Sequence, residues 1–201
     1  MSDRFTEILD NAVGSPWVYV ALFLFAMTDA FFPIVPSETL VISAGVFAAG
    51  GDPNLVGIIV CAAAGAFVGD HISYFIGRFA GDRWLRDAGA QTRRKKLVTK
   101  GKQLLDERGA PIIIACRYIP GARTAVTLTA GATRFALAKF SPFDAVAAIT
   151  WATYSALIGY LGGNAFEEQP LKGLGLGLGI ALGVSLLVEV IRHQRAKRVT
   201  A

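Results

Sequence analysis

Apolar positions gather in stretches at about 16 to 50, 55 to 77, 110 to 133, 142 to 161 and 173 to 191. A membrane-spanning helix needs about 20 consecutive apolar residues, so the second, fourth and fifth stretches read as single spans. The first is too long for one span and carries Pro33 and Pro36. The third is interrupted by Pro120 and Gly121 and contains Arg117 and Arg123. Proline removes a backbone donor, and at membrane depth that loss is tolerated only where protein or cavity water replaces the bond. Interrupted stretches of this kind predict re-entrant hairpins or discontinuous helices.

The two interrupted stretches are alike. Ile34 to Gly45 reads IVPSETLVISAG and Ile119 to Gly131 reads IPGARTAVTLTAG. Each has a proline near its start, then an ionised side chain and a threonine, then small and β-branched residues ending in Ala-Gly. The first copy holds Glu38 and the second Arg123. An ionised group near the bilayer centre costs about 2.5 to 3.5 kcal/mol even on lenient insertion scales, so two in matched positions mark a candidate site.

Composition strengthens the membrane reading. The 201 residues are 53% hydrophobic and 17% charged, with a mean hydropathy of +0.48, too apolar for an ordinary soluble domain. The net charge is +5, and the basic residues gather in two blocks, Arg78 to Arg108 and Arg192 to Arg198, which flank apolar stretches as cytoplasmic segments do. Nucleic acid is therefore not an expected partner. Both blocks stay in the cytoplasm only if 110 to 133 enters and leaves on that side. The turn at Gly50 to Asn54 then lies outside, and the first interrupted stretch opens from the outer face. A hairpin plus a helix, repeated in opposite sense, is the plan of many secondary transporters.

The expected fold is thus an all-α membrane protein: an inverted repeat of a re-entrant helical hairpin plus a transmembrane helix, with an additional C-terminal transmembrane helix. A single membrane domain over 1–201 has its core at 17–165, the last helix at 166–191 and a basic cytoplasmic tail at 192–201. The first fifteen residues carry Asp3, Glu7 and Asp10 against Arg4 and so lack the positive start of a secretory signal peptide. Cys61 and Cys116 have no paired spacing and are expected as packed thiols. Gly173, Gly175, Gly177, Gly179 and Gly183 give small-xxx-small spacing, which permits close helix contact within a subunit or in a homo-oligomer.

FFPIVPSE at Phe31 to Glu38, GAFVGDHISYFIGRFAG at Gly65 to Gly81 and CRYIPGARTAVTLTAG at Cys116 to Gly131 together resemble the DedA family, also called the SNARE-associated or VTT-domain family. The resemblance covers about 17 to 165. It implies two re-entrant hairpins facing one another in a bacterial plasma membrane, and transport or scrambling of lipids. Bacterial members are similar to carriers that return undecaprenyl phosphate to the cytoplasmic leaflet, coupled to ion gradients. The family's first hairpin has a second acid upstream of the one after the proline, and Asp29 is its nearest match here.

Arg117 and Arg123 stand six apart across the Pro-Gly break and aim at one point only if the backbone there is not a continuous helix. Arginine stays charged and presents a planar fork suited to phosphate oxygens, so a lipid phosphate is the expected ligand. The competing reading is that an arginine pairs with Glu38 or Asp29 and pins the hairpins together. Glu38, Asp29 and Asp70 are candidates for proton coupling, because a buried carboxylate escapes its desolvation cost by taking up a proton. Asp70 and Arg78 share one face of the second stretch with Tyr74 between them, and Arg78 is expected to reach headgroups. His71 is expected as a packing residue. Arg93, Arg94, Lys95, Lys96, Lys100 and Lys102 form a cytoplasmic cluster able to attract anionic lipid at about 1 kcal/mol per residue.

The function expected is a flippase for a phosphate-bearing lipid, undecaprenyl phosphate in particular, linked to protons or another ion gradient. The alternatives are a proton-coupled exporter of small cations, in which the acids bind substrate, and a structural scaffold. No catalytic residue, metal site or cofactor is expected, since two scattered histidines supply neither a nucleophile's base nor a metal cluster.

Overall fold

A computed structural model describes residues 15–32, 37–87, 111–119 and 122–165, together with 99, 103, 105 and 107. The expected helix at 166–191, the basic tail and the basic cluster within 93–102 lie outside the described residues, as do Pro33, Pro36, Pro120 and Gly121. The described residues form six helices: α1 (Trp17–Asp29), α2 (Ser37–Ala48), α3 (Leu55–Asp87), α4 (Pro111–Arg117), α5 (Ala122–Ala132) and α6 (Leu137–Ala165). Both long elements are single helices, and each interrupted stretch becomes two short ones.

Length sets what each helix can do. The apolar part of α3, Leu55–Ala80, has 26 residues and α6 has 29. At 1.5 Å per residue each exceeds the ~30 Å hydrocarbon thickness. Helices α1 and α2, with 13 and 12 residues, reach only part of the way. Local chemistry fixes the boundaries. Helix α1 ends at Asp29, and the Pro33 that follows in the sequence lacks the amide needed to continue it. Gly51 turns the chain at φ +109°, where a side chain is strained. Asn54 then caps α3, its Oδ1 accepting from the Gly57 amide at 3.1 Å.

The helices are apolar on most sides. Trp17, Val56, Val60, Phe79, Ile149 and Leu161 point outward. Only 39% of the most apolar window of α3 is buried inside the protein. A soluble core helix would bury most of it, whereas a lipid-facing helix has no reason to. The protein-facing sides are built from small residues: Ala26, Ala44, Ala62, Ala66, Ala148, Ala152 and Ala156 are buried between α1, α2, α3 and α6. Small contact residues let backbones approach, which is how helices gain packing in lipid.

The glycines fix the register. A Cβ on Gly45 of α2 would strike the Ala156 carbonyl of α6, and one on Gly159 would strike the Ile42 carbonyl. The other half has the same reciprocal lock, Gly131 of α5 against the Tyr74 carbonyl of α3 and Gly77 against Leu128. Gly45 and Gly131 are the terminal glycines of the two similar sequence segments. Thus α2 packs against α6, and α5 against α3.

Contacts also give the helix senses. Phe23, Met27 and Ala30 of α1 meet Gly65, Gly69 and Ser73 in turn, so α1 runs parallel to α3. Arg123, Leu128 and Gly131 of α5 follow Asp70, Gly77 and Arg78 of α3 in the same way. Glu38, Ile42 and Val46 of α2 follow Tyr154, Gly159 and Gly163 of α6. Between the long helices, Tyr74 meets Phe140 while His71 meets Ser141 and Asp144, so α3 and α6 run in opposite senses. Helices α1 and α2 therefore oppose one another.

A candidate anion site around Asp70

Asp70 lies at the middle of α3 and is fully buried. Both of its oxygens are occupied by guanidinium groups. Oδ2 accepts from Arg117 Nη1 at 2.6 Å and Oδ1 from Arg123 Nε at 2.7 Å. Arg117 is the last residue of α4 and Arg123 the second of α5. The interruption between these helices lets two side chains six apart in sequence converge on one carboxylate. The Gly77–Gly131 lock holds α5 close enough to α3 for Arg123 to reach.

Each arginine has a further acid. Arg123 Nη1 lies 3.4 Å from Asp29 Oδ2, and its Nη2 donates to the Ala66 carbonyl at 3.3 Å. Asp29 is held in turn by the Ser37 hydroxyl at 2.7 Å, across the break between α1 and α2. Arg117 Nη1 lies 3.5 Å from Asp144 Oδ1, and its guanidinium carbon sits 5.4 Å from the centre of the Trp151 ring. The Nε and Nη2 atoms of Arg117 are buried without a hydrogen-bond partner among the described residues. Hydrogen-bond donors held in this way carry the full desolvation penalty unless something accepts from them.

Of the residues expected from the sequence, Arg117, Arg123, Asp70 and Asp29 come together. Glu38 does not join them: its Oε1 instead accepts from the Tyr154 hydroxyl, and no ion pair links it to an arginine among the described residues. Of the two acids named for a pairing with an arginine, Asp29 makes it and Glu38 does not. The reason is register, since the Gly45–Gly159 lock runs α2 along α6 and sets position 38 beside Tyr154. His71 packs as expected, with both ring nitrogens hydrogen-bonded. Its Nε2 shares a hydrogen bond with Ser141 at 2.9 Å, and Nδ1 lies 2.8 Å from the Phe67 carbonyl and 3.5 Å from Asp144 Oδ2. Arg78 is exposed, as expected, with Nη1 donating to the Tyr74 hydroxyl at 3.2 Å.

Asp144, buried with 1% exposure, and Tyr154 were not among the expected site residues. Asp144 was within reach of the sequence: it is the only acid in the 142 to 161 stretch, and an intramembrane carboxylate is a functional candidate by default. Tyr154 had no such signal, because a tyrosine in an apolar helix is ordinary. Both cysteines are free, as expected, with Cys116 donating to the Ile113 carbonyl at 3.2 Å. Among the described residues no group of three or more His, Cys, Asp or Glu is placed to hold a metal ion.

Long apolar helices, outward-facing apolar side chains and an enclosed ionic cluster define a polytopic helical membrane protein with a polar site inside the bundle. Residues 35–161 match the VTT domain, and the chain belongs to the VTT-domain, or DedA, family of bacterial multi-pass membrane proteins. Protein DedA of Escherichia coli K12 is 28% identical over 186 residues, covering 90% of this chain and 85% of DedA. A membrane protein of Mycobacterium tuberculosis H37Rv is 30% identical over 182 residues, 89% of this chain and 80% of the relative. Undecaprenyl phosphate transporter A of Bacillus subtilis is 26% identical over 136 residues, 67% of this chain and 69% of that protein. No solved structure matches the chain.

Proposed function

We propose that this protein is a membrane transporter that carries a phosphate-bearing lipid between leaflets, with undecaprenyl phosphate as its substrate and with movement linked to protons. The observation that carries this reading is Arg117: one guanidinium nitrogen is fixed on Asp70 while two more are buried with no acceptor among the described residues. A phosphate oxygen is the acceptor that a planar guanidinium fits best. Arg123, anchored on the opposite oxygen of Asp70, is the second phosphate ligand. The name of the Bacillus subtilis relative supports the choice of lipid.

The helix senses support the re-entrant, inverted arrangement. In this reading α1 and α2 dip in from one face, α4 and α5 from the other, and the two breaks meet near mid-depth at Asp70. Asp29 and Asp70 compete with the phosphate for the arginines, so a proton taken up within this acidic cluster favours phosphate binding. Glu38, held by Tyr154, is a separate acid on the opposite hairpin and the third coupling group. The partners are the phosphate-bearing lipid and anionic membrane lipids drawn to the basic cytoplasmic cluster, and the glycine-rich C-terminal segment offers a surface for a homo-oligomer.

The test is a vesicle assay. The full chain is reconstituted into phosphatidylcholine vesicles carrying undecaprenyl phosphate, and the fraction reachable on the outer leaflet is followed with and without a pH gradient. The proposal expects the protein to accelerate exchange, the gradient to bias it, and Arg123→Ala to abolish it. Equal exchange by wild type and by a correctly folded Arg123→Ala protein would overturn the site. Cation export that survives loss of either arginine would favour the exporter reading instead.

A further inference from the structure

Five ionic side chains meet around Arg117, and their charges do not balance. Arg117 and Arg123 bring two positive charges; Asp29, Asp70 and Asp144 bring three negative ones. Asp70 and Asp29 each touch an arginine that also has other fixed partners. Asp144 is left with the long 3.5 Å approach to Arg117 Nη1, a nitrogen already committed to Asp70 at 2.6 Å. Neither Asp144 oxygen has a hydrogen-bond partner among the described residues, although the side chain is only 1% exposed. Its other ionisable neighbours are Asp70 and His71, the latter 3.5 Å from Oδ2.

The setting of His71 suits a relay. The ring lies against Phe67 and Phe140, and its side chain is 18% exposed, so it forms the edge of the otherwise closed cluster. Nδ1 faces the Phe67 carbonyl and Asp144, while Nε2 faces the Ser141 hydroxyl. A hydroxyl both donates and accepts. Ser141 therefore keeps its hydrogen bond whether Nε2 is bare or protonated. Imidazole is the side chain whose charge changes most readily near neutral pH.

We propose that Asp144 is the site where the transported proton binds, that His71 and Ser141 deliver it, and that its arrival frees Arg117 for the lipid phosphate. A proton from water adds at Nε2 as Ser141 turns to accept, and the Nδ1 proton passes to Asp144 Oδ2. The imidazole returns to neutral and the carboxyl is neutral. The cluster then holds two positive and two negative charges, and Asp144 no longer competes for Arg117. The groups facing Asp144 are Asp70 and His71 from α3 and Arg117 from α4, with Arg123 of α5 also within electrostatic reach. This inference rests on the transporter reading, which it deepens by naming where the proton sits.

Two measurements separate it from that reading. The first is infrared titration of the full chain in detergent, which follows the carbonyl band of a protonated carboxyl and needs no transport. Wild type is expected to show a band that grows as pH falls and disappears with Asp144→Asn but not with Glu38→Gln. His71→Gln is expected to move the midpoint by about one pH unit, a tenfold change in proton affinity. A band that survives Asp144→Asn, or the lack of any titrating band, would overturn the proposal. Should Asp144→Asn fail to fold, an unmoved midpoint in His71→Gln would overturn it instead.

The second measurement is the pH profile of undecaprenyl phosphate exchange in vesicles. Wild type is expected to speed up as pH falls, whereas His71→Gln flattens the profile more than it lowers the maximal rate. A purely structural histidine would lower the rate at every pH alike, which would overturn the relay. Failure of wild type to move the lipid at all would remove the transporter reading, and the infrared titration would still decide whether Asp144 binds the proton.

Discussion

Replacing Asp70 by asparagine changes the cluster's charge with almost no change in size. The carboxylate accepts from Arg117 at 2.6 Å and from Arg123 at 2.7 Å, out of contact with solvent. Asparagine keeps one acceptor oxygen and turns an amide donor toward the other guanidinium. Breaking a buried pair by removing one partner costs about 3 to 5 kcal/mol. Arg123 keeps Asp29 and the Ala66 carbonyl, and Arg117 keeps Asp144, so the lower end of that range, about 3 kcal/mol, applies. At about 2 to 4 °C per kcal/mol for a chain of this size, Tm should fall by roughly 6 to 12 °C. Cys116, buried with 5% exposure, supplies the readout: in a Cys61→Ser background a fluorogenic maleimide reports its exposure on heating in detergent. Asp29 is a 3.4 Å partner whose side chain is 21% exposed, so Asp29→Asn should cost about 1 kcal/mol or less. An Asp70→Asn Tm within 2 °C of wild type, or a larger loss with Asp29→Asn, would refute the view that Asp70 is the clamp.

Gly45→Ala and Gly131→Ala should each destabilise by about 1 to 3 kcal/mol, because each new methyl meets a backbone carbonyl that cannot move alone. The same thiol assay should find the two losses similar, whereas Gly51→Ala, in open space, suffers only from its positive φ. Tyr154→Phe should cost about 1.5 to 3 kcal/mol if Glu38 is ionised, the range for a hydrogen bond to a charged group. Glu38→Gln combined with Tyr154→Phe should recover part of that loss in a double-mutant cycle. Arg117→Lys should keep the protein folded and still fail in the vesicle exchange assay, because a point charge cannot hold Asp70 and a phosphate together.

Much of this architecture could be read from the residues. The prolines at 33, 36 and 120 marked where helices stop, and the cost of burying arginine pointed to residues 117 and 123. Asp70 followed from its place in an apolar stretch. The pairing did not follow, because which acid meets which base depends on how helices slide past one another. That sliding is set by carbonyl contacts at Gly45, Gly77, Gly131 and Gly159, which no single stretch of sequence contains. Hence Glu38, matched to Arg123 by sequence likeness, meets Tyr154, and Asp70 takes both arginines. Asp144 was overlooked for a different reason: a single acid in an otherwise regular span draws less notice than charges beside a proline. Its distance to Arg117 emerges only once α4 and α6 are seen side by side.

In this reading the Arg117 guanidinium donates to the lipid phosphate. Phosphorus–nitrogen dipolar recoupling by solid-state NMR measures this contact directly, using undecaprenyl phosphate in vesicles and protein labelled with ¹⁵N at arginine. Wild type should show phosphorus dephasing by guanidinium nitrogens that diminishes in Arg117→Lys and in Arg123→Lys. Bound lipid whose phosphorus shows no dephasing from either arginine would contradict it.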